Sequence, residues 1–164
     1  EDTIAYLYET ASTMGGSLKT KKNKSPTFLL WAMADAQGTN LQRVQIIKGW
    51  LDNGESKEKV YDATCSDGLE VDKSSHRCPD NGAKVNLNDC SISKNKGSRE
   101  LKTLWKDPEF IEDQEAFYYV RVLENPVCRW STWDAIRSNQ LPRSDIKSTI
   151  QERAWSSPIW ITNY

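Results

Sequence analysis

Apolar and polar residues alternate in short stretches along most of this chain, which is the pattern of β-strands whose two faces meet different surroundings. The alternation is clearest over residues 115–124, where Phe117 and Tyr119 share one face while Tyr118 and Val120 share the other. Because both faces carry apolar residues, this strand is predicted to be central in its sheet and covered on both sides.

Five other strands are predicted, at residues 27–34, 41–50, 58–65, 99–105 and 155–162. Asp52-Asn-Gly54 predicts a tight hairpin turn between the second and third of these. Helix is predicted only for residues 1–13 and as a single turn at residues 133–138. Because no long helices separate the strands, the pattern predicts a mainly β fold: an antiparallel β-sandwich, immunoglobulin-like in outline, with little helix.

One domain with an attached segment is predicted from the length of 164 residues. Residues 1–24, which end in a charged run, are interpreted as a junction segment from an N-terminal domain that precedes this chain. Residues 25–164 are interpreted as the β-sandwich domain. The chain starts at Glu1 without a methionine, and on this interpretation it is a piece of a longer protein.

The composition sets limits on partners. Lys plus Arg number 22 and Asp plus Glu number 23, so the net charge gives no argument for a nucleic acid or an anionic membrane as partner. No run of about 18 apolar residues is present, so no membrane span is predicted. The seven tryptophans supply much of the apolar surface, and Trp31 and Trp50, in or near strands, are predicted to pack in the core.

The four cysteines are Cys65, Cys78, Cys90 and Cys128. Residues 66–99 form a long polar stretch with little apolar pattern, which is uncommon unless it is tethered or functional. Two disulfides stapling this loop, with the pairing left open, are therefore predicted, and they indicate an oxidising compartment. The alternative is a metal site with His76, but zinc sites usually contain a Cys-x-x-Cys pair, which this chain lacks.

No catalytic constellation is evident. The chain has one histidine, His76, which is expected to be exposed or hydrogen-bonded beside Arg77 rather than to act as a base. Calcium prefers several oxygen ligands on irregular backbone, and turn chemistry accounts equally well for acidic residues in a loop. The calcium candidates on this basis are Asp67, Asp72, Asp80 and Asp89.

A second group of candidate interaction residues follows the last cysteine: Arg129, Trp130, Trp133 and Asp134, to which His76 and Arg77 of the loop are added. The two tryptophans are three residues apart and so share one face of a helical turn. A structural role, with indole packed against the disulfide and Asp134 paired with a nearby arginine, is expected first. An interaction surface would instead require these side chains to be solvent-accessible.

Several long segments, among them the motif Cys128-Arg-Trp-Ser-Thr-Trp-Asp-Ala135, closely resemble the C-terminal part of the bacterial family DUF3604. The others are Leu41–Trp50, His76–Gly82, Tyr118–Pro126 and Gln151–Ile159. The resemblance covers essentially the whole chain. It implies an exported, periplasmic or extracellular protein whose larger N-terminal part resembles metal-dependent hydrolases of the polymerase-and-histidinol-phosphatase type.

On this resemblance the divalent metal and the catalytic residues belong to the N-terminal domain, and this chain holds neither. The chain is then expected to be a non-catalytic accessory domain that packs on its own hydrolase-like domain and shapes the mouth of the active site. The alternative is an independent β-sandwich module that binds a glycan or a protein on a surface. An exposed aromatic patch would favour the second interpretation.

Overall fold

The computed structural model describes residues 2–20 and 24–162. Its elements are α1 (Asp2–Thr10), β1 (Ser17–Lys19), β2 (Thr27–Met33), β3 (Leu41–Asp52), β4 (Glu55–Cys65), β5 (Glu100–Lys106), β6 (Ala116–Glu124), β7 (Val127–Cys128), α2 (Trp130–Arg137), β8 (Thr149–Ile150), β9 (Arg153–Trp155) and β10 (Ile159–Thr162). Five of the six predicted strands are present, and the sixth, predicted at 155–162, is divided into β9 and β10 by a break at residues 156–158. The predicted helical turn at 133–138 begins three residues earlier than expected.

The main sheet has the strand order β1-β10-β6-β3-β4, and β9 also pairs with β6. The prediction that β6 is central is therefore confirmed. The pairs are antiparallel except for β1 with β10. Strands β9 and β10 share one edge of β6, and Ser156 bridges the break between them. Its backbone N–H donates to the Val120 carbonyl at 3.0 Å, and its hydroxyl accepts from the Val120 N–H at 2.9 Å.

A ribbon formed by β2 and β5 covers one face of the main sheet, so the chain is a mainly β sandwich, as predicted. Phe28 of the ribbon lies over Tyr118 of the sheet at 4.8 Å between ring centroids, and Trp105 lies 5.4 Å from Tyr61. Such aromatic contacts bury large apolar areas. The other buried members of the core are Leu30, Leu41, Val44, Ile46, Leu101, Ala116 and Ile161.

The prediction that Trp31 belongs to the core is wrong. Successive side chains of a strand point to opposite faces, and Phe28 and Leu30 point inward, so Trp31 must point out. Its side chain is 63% exposed, and its indole N–H donates to Glu100 Oε1 at 2.6 Å. Trp50 is half-buried and packs against the core, as predicted.

The structure also differs from the predicted domain boundary. Strand β1 lies within the segment interpreted as a junction, yet Leu18 pairs with Ile161 of β10 and packs against the core. Gly15 lies in the turn just before β1. Its positive φ of 89° favours glycine, and its N–H donates to the Pro158 carbonyl at 2.8 Å. The sandwich therefore includes part of the predicted junction. Residues 21–23 of the predicted charged connector lie outside the described residues.

A buried ion pair closes one end of the sandwich. Lys48 Nζ of β3 donates to Asp107 Oδ2 at 2.7 Å, and the Tyr118 hydroxyl donates to the same oxygen at 2.7 Å. The side chains of Lys48 and Asp107 are almost inaccessible to solvent. Burial and the hydrogen bond to Asp107 raise the pKa of Tyr118, which keeps its hydroxyl protonated as a donor. The turn after β5 is thus fastened to two strands of the main sheet.

Replacing Asp107 by alanine should therefore lower the free energy of unfolding by about 3–5 kcal/mol, because it leaves the Lys48 charge buried without an anionic partner. Urea unfolding measures the effect. The matched control is Glu55→Gln, which removes an exposed pair with Lys57 at 2.6 Å and should cost under about 1 kcal/mol. Equal losses for the two variants would mean that the buried pair does not anchor the fold.

Candidate functional site

Two disulfides tether the long loop, and all four cysteines are paired, as predicted. Cys65, the last residue of β4, is bonded to Cys78, and Cys90 is bonded to Cys128 of β7. The first bond links positions 13 residues apart and the second links positions 38 residues apart. The loop is therefore held both to the edge strand of the main sheet and to the segment that follows β6.

The calcium candidates are dispersed over separate turns. Asp72 accepts hydrogen bonds from Ser74 and Ser75, Asp80 from the Gly82 N–H, Asp89 from the Ser91 N–H, and Asp67 from the Gly97 N–H, Asn81 and Ser66. Within residues 2–20 and 24–162, no group of three or more His, Cys, Asp and Glu side chains could hold a metal ion. Turn formation accounts for Asp72, Asp80 and Asp89, whereas Asp67 joins distant parts of the loop, and no shared geometry supports the calcium hypothesis.

The turn around Asp72 should depend on pH. Hydrogen bonds lower the pKa of Asp72 below its ordinary value. The largest effect comes from the Ser75 N–H, and the hydroxyls of Ser74 and Ser75 add to it. Because the pKa is lowered in the folded state, the ionised carboxylate stabilises the fold at pH values above its unfolded pKa of about 4. This contribution is lost as the pH falls toward the pKa of the folded state. The thermal stability advantage over Asp72→Asn should therefore be present at pH 7 and shrink in acid. A difference independent of pH would contradict this origin.

His76 and Arg77, the candidates within the loop, lie against the β4 edge. The His76 carbonyl accepts the Asp62 N–H at 2.9 Å, and its ring meets Tyr61 edge-on at 5.2 Å between centroids. Its Nε2 lies 3.8 Å from Glu109 Oε1. Arg77 Nη1 is 3.6 Å from Asp62 Oδ1. His76 is thus engaged in holding the loop to the sheet, while Arg77 contributes charge beside Asp62.

The tryptophans after Cys128 are not packed as expected. Trp130, the first residue of α2, is 73% exposed, and Trp133 is also exposed. The residue that anchors the helix is Thr132, which is buried and whose hydroxyl donates to the Ser148 carbonyl at 2.8 Å. The expectation of Trp130 packed on the disulfide is therefore wrong, because the helix turns its threonine inward instead.

The charged members of this segment also take other partners. Arg129 Nε donates to the Lys147 carbonyl at 3.0 Å, and the Arg137 guanidinium lies 5.2 Å from the centre of the Trp133 ring. Asp134 is exposed. Neither arginine needs the expected pairing with Asp134 to be held in place. Residues 129–134 stay a candidate interaction surface. They belong to a different part of the chain from the site described next.

A site that the sequence analysis missed lies on the main sheet, on the side away from the ribbon. Directly opposite residues of antiparallel strands share a face, so the registers define rows of side chains there. The rows are Arg153-Leu123-Arg43, then Trp155-Arg121-Gln45-Asp62, then Tyr119-Ile47-Val60, then Trp160-Phe117-Gly49. We call this surface the open face. Neither β2 nor β5 covers it.

Aromatic rings fill one half of the open face. Phe117 lies 5.1 Å from Trp160 and 6.3 Å from Tyr119, and it stacks on Tyr119 with an interplanar angle of 15°. The Phe117 ring also lies across Gly49, where a Cβ atom would come within 2.3 Å of it, so only glycine fits. Trp160 is 47% exposed and Trp155, two rows away, is 58% exposed. The outer edge of this face is therefore exposed at Trp155 and Trp160, whereas Phe117 and Tyr119 are half-buried.

Arginines fill the other half, arranged around one buried carboxylate. Asp62 accepts from Gln45 Nε2 at 2.6 Å and from the Cys78 N–H at 2.7 Å, and Arg43 Nη1 is 3.6 Å from it. Arg121 Nε donates to Gln45 Oε1 at 2.7 Å. The buried Asp62 thus positions Arg43 directly and Arg121 through Gln45.

The period-two pattern of β6 did contain the signal for this site, because it puts Phe117, Tyr119 and Arg121 on one face. The sequence analysis interpreted that face as covered. In the structure a single layer covers only the Tyr118 side, and the Phe117 side is partly exposed. The tryptophans of β9 and β10 complete the face by long-range pairing.

Fold and disulfides define the class: a disulfide-stapled, mainly β sandwich domain. The chain matches the family model described as "Protein of unknown function (DUF3604)" over residues 1–163, and it belongs to that family. Comparison with the curated proteins and with the solved structures gives no match. Among the helices in the part of the chain that is described, none is long and apolar enough to cross a membrane.

The disulfide pairing can be checked directly. Free-thiol titration of the denatured, unreduced protein should detect no thiol, because all four cysteines are bonded. Peptide mapping should then recover Cys65 with Cys78 and Cys90 with Cys128. Peptides that join Cys65 to Cys128, or free thiols, would contradict the way in which the loop is tethered.

Proposed function

We propose that this chain is the non-catalytic accessory domain of an exported metal-dependent hydrolase and that it packs on the hydrolase-like domain and shapes the mouth of its active site. Membership of the DUF3604 family supports this proposal. The N-terminal part of longer family members resembles metal-dependent hydrolases, which supports it further. The divalent metal is assigned to the hydrolase-like domain.

The observation that carries the proposal is the outer face of the β2–β5 ribbon. Its apolar side chains Leu29, Trp31, Met33 and Leu104 are each more than half exposed. Leu29 lies directly opposite Leu104, so these side chains form one continuous patch across two strands. Contiguous exposed apolar patches mark interaction surfaces more often than isolated exposed residues do.

The edge of this patch is polar, as expected for the rim of an interface. Lys102 lies opposite Trp31, with its Nζ 5.9 Å from the indole centre, and Glu100 lies opposite Met33. Charged groups at a rim steer association and fix orientation more than they add affinity. The patch therefore has the anatomy of a surface that packs on a second domain.

Helix α1 offers further unpartnered apolar surface beside the start of the sandwich. Tyr6 and Tyr8 are both exposed, at 63% and 72%. A nine-residue helix is marginal without tertiary contacts, so a neighbouring domain would stabilise it. The disulfides agree with an oxidising, periplasmic or extracellular location for the assembly.

The proposal is tested by Leu104→Glu, which puts a charge in the middle of the patch. In this chain alone the free energy of unfolding should change by less than about 0.5 kcal/mol, because Leu104 is exposed. In the longer protein the variant should separate one cooperative thermal transition into two and alter turnover across a panel of phosphoesters and sulfoesters.

Leu141→Glu is the matched control, because Leu141 is exposed and lies outside the ribbon. It should leave both readouts of the longer protein unchanged. An unchanged single transition and unchanged turnover for Leu104→Glu would contradict packing through the ribbon. The alternative, an independent binding module, is favoured by one specific observation, the aromatic open face.

A further inference from the structure

We propose that the open face binds a polysaccharide that carries carboxylate groups, with sugar rings stacked on Trp155 and Trp160 and carboxylates held by Arg121 and Arg153. This goes beyond the accessory role, because the open face and the ribbon lie on opposite sides of the main sheet. One surface is available to the hydrolase-like domain and the other to a ligand.

The aromatic half supplies the stacking surface. The C–H faces of a pyranose ring are apolar, and they pack on the flat faces of indole and phenol rings. Trp160, Phe117 and Tyr119 form a continuous series of rings across two strands, and the backbone of Trp160 and Phe117 is paired on both sides. Burial and the nearby Glu58 carboxylate raise the pKa of Tyr119, so its hydroxyl stays a donor.

The shape of this half also suits an extended chain. A groove of about 450 Å³ begins beside Phe117, Trp160 and Glu58 at one end of the open face. The rings themselves lie on a sheet face, and no closed pocket is needed for stacking. An extended polymer can therefore lie across the face, whereas a small molecule would contact only part of it. The groove itself is lined by Glu58 and Glu115 and is not assigned to the carboxylates of the polymer.

The arginine half supplies the charge complementarity. Trp155 lies directly opposite Arg121, and Arg153 is diagonal to Arg121 on the same face. A sugar stacked on Trp155 therefore has guanidinium groups at its edge, where the carboxylate of a uronic acid projects. Asp62, at the opposite end of the same row on β4, is buried.

Arg121 is prepared for a planar acceptor. Its Nε is committed to Gln45 Oε1, so the two terminal nitrogens remain as a fork of donors. A carboxylate offers two oxygens in one plane to such a fork. Arg43, whose buried Nε is out of reach of a ligand, adds only the charge of its guanidinium group, which lies beside Asp62. Gln45 and Asp62 act as positioning residues.

The test is binding of polygalacturonate to this chain, measured by calorimetry at physiological salt, with neutral dextran and dextran sulfate as comparison polymers. Polygalacturonate should bind and dextran should not. Trp155→Ala should weaken binding about tenfold, the size of effect typical of an exposed aromatic anchor. Arg153→Ala should weaken it less and reduce its salt dependence.

Trp31→Ala is the matched control, because Trp31 is as exposed as Trp155 but lies on the ribbon. It should leave polygalacturonate binding unchanged and affect only the packing of the hydrolase-like domain. The two proposals can therefore fail independently. Binding of dextran sulfate without polygalacturonate, equal binding of dextran, or equal losses for Trp31→Ala and Trp155→Ala would each overturn the assignment.

Arg121→Lys separates positioning from charge. The lysine keeps the positive charge but loses the fork and the bond to Gln45, so affinity for polygalacturonate should fall while the circular dichroism spectrum stays unchanged. Unchanged affinity would contradict recognition of the carboxylate by Arg121. Far-ultraviolet spectra and thermal unfolding of every variant establish that each protein is folded before binding is compared.

Discussion

The buried carboxylate of Asp62 is the interaction on which most of the polar structure depends. It is inaccessible to solvent, and it joins three parts of the chain by accepting bonds from Gln45 of β3 and Cys78 of the long loop and by lying near Arg43. A buried charge is tolerated only when it is paired and hydrogen-bonded, so these groups must stay in position for the fold to persist. The loop, the sheet edge and the open face are thereby coupled.

The disulfides and Asp62 act on the same loop by different means. Cys65–Cys78 restricts the unfolded chain, whereas the contacts of Asp62 define where the loop lies once the protein is folded. Because the disulfide and the contacts of Asp62 together hold the loop, residues 66–99 need little apolar core of their own. The loop can therefore be polar and rich in turns, as its sequence indicates, and still present Arg77 at a fixed place beside the open face.

The sequence predicted what depends on local pattern and composition. The alternation around Tyr118 located the central strand, the Asp-Asn-Gly turn located the β3–β4 hairpin, and the even cysteine number predicted two disulfides. It could not predict which layer covers a strand, because that depends on pairing between distant segments. The misplaced Trp31 and the overlooked open face both follow from this limit, and the buried partners of Asp62 carry no sequence signal of their own.

The open face takes its geometry from the core behind it. A shift of one residue in a strand would exchange its two faces, so the register of β6 must be fixed. Tyr118 fixes it on the core side through Asp107 and Lys48, and Phe117 fixes it on the other side by needing Gly49 opposite. Because adjacent residues of one strand serve the two faces, the packing of the interior also constrains the surface offered to a ligand. Rigid placement of rings and guanidinium groups lowers the entropy lost on binding, which suits a surface that recognises a repeating polymer.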